Sequence, residues 1–146
     1  GTSISDNLDS SDEVLNPVSL ISYSIATFDS KISGRIKFSK VNEKLIPQIR
    51  IDKITIFEIV KSIINNLLKI DNSEVEIGLV LDHLNRLAII FHLTPEIKES
   101  LFRDVLDKDS INKILDKHGC SFEVIFKGLE VSMLLFIPAH RVIVKS

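Results

Sequence analysis

The sequence predicts an α+β domain, a two-layer sandwich with helices on one face of a mixed, mostly antiparallel sheet. Three observations carry this. Two segments, Val18 to Ile32 and Ile56 to Leu68, repeat apolar residues at steps of three and four, the spacing of a helix face. The remaining apolar runs arrive in pairs separated by turn residues, as hairpins do. The composition is that of a globular chain: 146 residues, 45% hydrophobic and 26% charged, enough for one domain with its own core.

The elements follow in order. Ile4 to Leu15 is rich in Ser, Asp and Asn and reads as a linker or frayed end, so residues 1–15 are assigned to a flexible tail and 16–146 to the domain. Asn16-Pro17 can cap and open a helix. Val18, Ile21, Ile25, Phe28 and Ile32 give it one apolar stripe as far as Gly34. Arg35 to Lys40 alternates polar and apolar residues, as a half-buried strand does. Ile46 to Ile51 holds a second extended piece, with Pro47 placing it at an edge or loop entry. Asp52 can cap a helix to about Ile70, whose face is Ile56, Ile59, Val60, Ile63, Ile64, Leu67 and Leu68. Its β-branched residues favour a strand, but period and length outweigh them.

Glu74 to Leu81 and Arg86 to Leu93 read as a hairpin around Asp82 to Asn85. Thr94-Pro95-Glu96 starts a helix carrying Ile97, Leu101 and Val105. Asp107 or Asp109 caps another, with Ile111, Ile114 and Leu115, ended by Gly119. Ser121 to Phe126 and Leu129 to Ile137 form a closing hairpin around Lys127-Gly128, and Arg141 to Lys145 gives a short last strand. The expected core includes Ile25, Phe28, Ile59, Ile63, Leu67, Ile89, Ile114, Val124 and Leu135.

Composition also excludes several functions. A net charge of −2 lacks the basic excess of a nucleic-acid binder, so no nucleic-acid partner is expected. No apolar run is long enough to span a bilayer and no basic start precedes an apolar stretch, so neither a membrane span nor a signal peptide is expected. The single cysteine, Cys120, cannot form an internal disulfide or a Cys/His metal cluster, which fits a reducing, cytoplasmic setting. Five glycines leave little material for phosphate-cradling loops.

Three stretches resemble the ATP-binding domain of sensor histidine kinases, the GHKL or Bergerat fold, over about Asn16 to Pro138. Asp52 to Asn66 is similar to the family's helix ending in an Asn-x-x-x-Asn pair that holds the magnesium of ATP. On that register Asn66 matches the second Asn, and Ser62 replaces the first. Ile114 to Val124 is similar to Ile-Val-x-x-His-Gly-Gly-x-Ile-x-Val, with Cys120 for a Gly. Phe136-Ile137-Pro138 resembles the Phe-x-Leu-Pro that closes the family's last strand.

The departures fall on the chemistry. Where the family has Asp-x-Gly-x-Gly-Ile beneath the adenine, this chain reads His92-Leu-Thr-Pro-Glu-Ile97. A neutral or cationic His cannot accept the adenine amino hydrogen as a carboxylate does. Where the Gly-x-Gly-Leu box should wrap the phosphates, Val105-Leu-Asp-Lys-Asp109 holds no glycine. Glu96 and Asp107 would bring negative charge toward a polyphosphate, and the segment between the two boxes is too short for an ATP lid.

The resemblance therefore implies a degenerate kinase-like domain with Asn66, Ser62 and His92 as vestigial site candidates, no catalytic residue, no metal and no bound cofactor. With its glycine partners absent, Asn66 reads rather as a polar residue at the edge of an amphipathic helix. His92 reads as a capping or surface residue at a strand end, before the Pro95 helix. His83 reads as a solvated turn residue, His118 as a cation at a helix end and Cys120 as a buried inert thiol. The implied function is a non-catalytic signalling module of a two-component system or phosphorelay, docking a response regulator or kinase, with a homodimer as a further option. The alternative is a divergent but active ATP-binding domain of a sensor kinase. In histidine phosphotransferases with a degenerate kinase-like domain, a His-bearing helical hairpin comes first. No such hairpin is read ahead of Asn16.

Overall fold

A computed structural model describes residues 11–39 and 41–144. Gly1 to Ser10, Lys40 and Lys145, on which the readings of tail and strand ends partly rested, lie outside the described residues.

Helix α3 (Lys53–Leu68) organises the fold. The Asp52 carboxylate caps it, accepting the Ile54 N–H at 3.1 Å and the Thr55 hydroxyl at 2.9 Å. Its predicted face is buried from Ile56 to Leu67.

Beneath α3 lies a five-stranded sheet in the order β2-β4-β5-β7-β6. Its strands are β2 (Ile36–Phe38), β4 (Glu74–Leu81), β5 (Leu87–Thr94), β6 (Ser121–Lys127) and β7 (Glu130–Ile137). All neighbours are antiparallel except β2 and β4. The pleat turns Val75, Ile77, Ile89, Phe91, Met133 and Leu135 to the helices, where all are buried. Arg35 sets the parallel pair: Nε donates to the Ser73 carbonyl at 2.8 Å and Nη2 to the carbonyls of Leu68 at 2.9 Å and Ile70 at 3.1 Å. One guanidinium thus satisfies the end of α3 and holds the start of β2 beside β4.

Sequence reasoning expected one sheet, and the structure has two. The second has the order β1-β3-β8, with β1 (Asp12–Leu15), β3 (Gln48–Asp52) and β8 (Val142–Ile143), all antiparallel. The reading of Ile4 to Leu15 as a linker is therefore corrected from Asp12 onward. Strand β1 has a weak local pattern but pairs with β3 over four residues, and β3 buries Ile49 and Ile51 completely.

The first helix is also corrected. It divides into α1 (Pro17–Ala26) and α2 (Ser30–Ser33). The Thr27 hydroxyl donates to the Ser24 carbonyl at 2.7 Å and Asp29 accepts the Ile32 N–H at 3.1 Å. These side chains give the backbone local alternatives to a continuous helix. Ile25, Phe28 and Ile32 still pack against the core, half-buried.

Helix α4 (Glu99–Val105) begins later than Thr94-Pro95-Glu96 suggests. The Ile97 N–H bonds the Leu129 carbonyl at 3.0 Å, holding that stretch along the β6–β7 turn. Helix α5 (Lys108–Lys117) is capped by Asp107 and ends at Gly119, whose φ is +71°. Ile114, expected in the core, is 42% exposed. The buried face of α5 is Ile111 and Leu115, and Ile114 lies to one side of it. Ile59, Ile63, Leu67, Ile89 and Leu135 are buried, and Val124 is half-buried against them. Among the described residues no helix is long and apolar enough to cross a membrane.

Candidate functional site

A cleft of about 140 Å³ lies between the C-terminal half of α3 and the N-terminal part of α5. Ser62 and Asn66 enter it from α3, four residues apart and so on one helix face. Lys69, one turn further on, lines the same wall. Asp107, Ser110 and Ile114 face them across the cleft. The structure thus brings Ser62 and Asn66 together.

The polar groups here are largely spoken for. Asn66 Nδ2 donates to the Ser62 carbonyl at 2.9 Å, back along its own helix. The Asp107 carboxylate accepts the Ser110 N–H at 3.2 Å and the Ser110 hydroxyl at 2.8 Å. These two bonds, the hydroxyl's first, hold the Asp107 carboxyl below its ordinary range. Desolvation opposes these bonds but is outweighed by them, and the Lys69 ammonium across the cleft adds the smallest contribution, in the same direction as the bonds. A carboxylate therefore already occupies the N-terminus of α5, where helix geometry favours an anion.

His92 is elsewhere, and of its two readings, capping or surface residue, the capping one is corrected, since the N-cap position of α4 is Lys98. His92 sits within β5, opposite Ser132 of β7, with Nδ1 at 3.0 Å from the Ser132 hydroxyl. Its neighbours Phe91 and Leu93 point to the helices and are buried. By alternation His92 lies on the opposite face of the sheet, remote from Asn66. Glu96 is exposed and does not line the cleft. His83 is exposed in the β4–β5 turn. Cys120 is buried, and burial pushes its thiol up to about 11 against the opposing charge of Arg141. Sequence reasoning passed over Lys69, although its place three residues beyond Asn66 puts it on the same wall. Among the described residues no group of three or more His, Cys, Asp or Glu could hold a metal ion.

No protein-family model matches the sequence, and no curated protein sequence matches it. Solved structures do match in fold. The nucleotide-free catalytic domain of the histidine kinase ThkA superposes with a TM-score of 0.68 at 22% identity, over 88% of this chain and 95% of that one. The histidine kinase domain of the E. coli osmosensor EnvZ gives 0.58 at 14% identity, over 87% of each chain. ThkA in complex with the response regulator TrrA gives 0.69 at 19% identity, over 88% of this chain and 42% of that one. The chain thus has the fold of histidine kinase catalytic domains, the α+β sandwich that the sequence predicts.

Proposed function

We propose that the chain is a kinase-like signalling module of a two-component system that does not hold ATP–magnesium and works by docking a response regulator or a kinase. The observation that carries this is Asp107, whose carboxylate takes both the Ser110 hydroxyl and the helix N-terminal N–H. On the sequence register this is where a glycine-rich box would receive phosphates. A nucleotide would have to displace a carboxylate that the cleft already stabilises.

Three further features fit the same reading. The cleft, about 140 Å³, is well below the roughly 300–1,000 Å³ of pockets that enclose small ligands. The Asn66 amide is engaged with its own helix, and one neutral ligand adds little for a hydrated magnesium ion. His92, at the register of the adenine-binding aspartate, lies on the far face of the sheet. The residues present therefore fit ATP–magnesium poorly. Docking to a response regulator draws support from the likeness to ThkA, which is solved in complex with TrrA.

The second reading is a divergent but active ATP-binding domain, favoured by Ser62 and Asn66 opening into one cleft at the α5 N-terminus. Calorimetric titration with ATP and magnesium separates the two. The docking reading expects no saturable heat at millimolar nucleotide. Saturable binding that weakens in Asn66→Ala would overturn it in favour of the active domain.

A further inference from the structure

The five-stranded sheet has two unlike edges. Strand β2 is three residues long, whereas β6 is seven. The pair Lys127↔Glu130 closes a two-residue turn at Gly128-Leu129, so these residues exchange both main-chain hydrogen bonds. Counting back, Ser121, Glu123 and Ile125 also turn their N–H and C=O toward β7. Phe122, Val124 and Phe126 turn theirs to the free edge, and among the described residues these groups have no backbone partner. Side chains alternate the other way. Phe122, Val124 and Phe126 pack toward the helical layer, while Glu123, Ile125 and Lys127 stand on the open face, Ile125 46% exposed.

We propose that this edge pairs antiparallel with the same edge of a second copy, Ile125 opposite Ile125. The sequence Glu123-Val-Ile-Phe-Lys127 is self-complementary in that register. Glu123 of each copy falls opposite Lys127 of the other, giving two charge pairs that flank the two isoleucines on the open face. On the helical face Val124 falls opposite Phe126. These are the residues whose free main-chain groups point outward, so each such pair exchanges two hydrogen bonds. The two-fold axis passes between the isoleucines, as an isologous contact requires. Centring the pair on Val124 instead sets Glu123 against Ile125 and Lys127 against Ser121 and loses both charge pairs. A cavity of about 200 Å³ under the edge, bounded by Phe102, Arg103, Leu106 and Val124, leaves room for the side chains of a paired strand. A long, unpaired, half-apolar edge is a template for another strand, and the charge pattern on this one selects its own copy. This surface stands apart from the α3–α5 cleft and holds whichever nucleotide reading is right.

The test is sedimentation velocity of the chain from micromolar to millimolar concentration, with Lys127→Glu and the swapped pair Glu123→Lys with Lys127→Glu. The wild type is expected to dimerise, the single variant to lose roughly tenfold or more in affinity, and the swapped pair to recover it. Ile125→Cys supplies an independent readout. Opposed residues of a non-hydrogen-bonded pair have Cα atoms about 4.5 Å apart, within disulfide reach, so mild oxidation should give a covalent dimer. Cys120, buried with a raised thiol pKa, does not compete. Circular dichroism checks that each variant is folded. A wild type monomeric at millimolar concentration, or a dimer that Lys127→Glu does not weaken and Ile125→Cys does not trap, overturns the proposal.

Discussion

Arg141 and Asp12, 129 residues apart in sequence, form an ion pair of 3.0 Å between Nη1 and Oδ2. Their side chains are 16% and 12% exposed. The same guanidinium donates to the His118 carbonyl at 2.8 Å and the Arg50 carbonyl at 3.1 Å. It thereby ties together β1, β3, the end of α5 and the 3₁₀ turn Ala139–Arg141. Among the described residues the other Asp12 oxygen is buried with no hydrogen-bond partner, so Arg141 is the carboxylate's main compensation there.

Arg141→Ala is therefore expected to cost roughly 2–4 kcal/mol, since it leaves a mostly buried carboxylate unpaired and two carbonyls unbonded. Asp12→Ala should cost less, because Arg141 keeps both carbonyls. Urea denaturation of the two variants checks the order, and equal losses would mean that the carbonyl bonds contribute nothing.

Leu67 lies at the C-terminal end of the longest apolar stripe and is 1% exposed. Leu67→Ala is expected to destabilise the domain by about 2–5 kcal/mol through the lost burial and the cavity left behind. A denaturation midpoint near wild type would mean that the surrounding side chains close over the gap.

Cys120 should resist thiol reagents in the folded state. Burial raises its thiol to about 11 from an ordinary value of 9.0, so little thiolate exists at pH 8. The folded pKa lies above the unfolded one, so this group's contribution to stability is complete below about 9 and is lost as the pH climbs to about 11. Modification by an aromatic disulfide reagent at pH 8 is expected to follow the rate of unfolding. Rapid stoichiometric labelling without loss of structure would contradict it.

These sites also mark what the sequence makes legible. Helix α3, both long hairpins and a cap at Asp107 or Asp109 are written in local periodicity and capping chemistry, which need no knowledge of partners. Strand β1 is not, because its stability comes from pairing with β3 across a long sequence separation, 36 residues for Val14↔Arg50. The break at Thr27 was hidden because an apolar stripe can continue across two helices. In the cleft, the family resemblance placed Ser62 and Asn66 together, but His92 needed the pleat: one residue along β5 decides which face a side chain serves. Ile114 shows the same limit on a helix, where one position around the turn separates the core from the rim of a cleft.

The last expectation concerns Asp107. Its carboxyl is held below the ordinary range by Ser110 and Lys69, so its folded pKa lies below its unfolded one. A group of that kind contributes stability that is fully present above the unfolded pKa and is lost as the pH falls through the folded pKa. Asp107→Asn keeps a side-chain oxygen able to cap the helix but removes the charge that meets the α5 N-terminus and Lys69. The variant is therefore expected to melt below wild type at pH 6 and to converge with it as the pH drops below the ordinary carboxyl value of 3.8. Added salt at pH 6 should narrow the gap too, because the site is open to water and its charge interactions are screened. Thermal melts of both proteins from pH 6 downward measure this. A gap that persists unchanged at low pH would place the effect in the geometry of the cap and leave the carboxylate's charge without a role at the helix end.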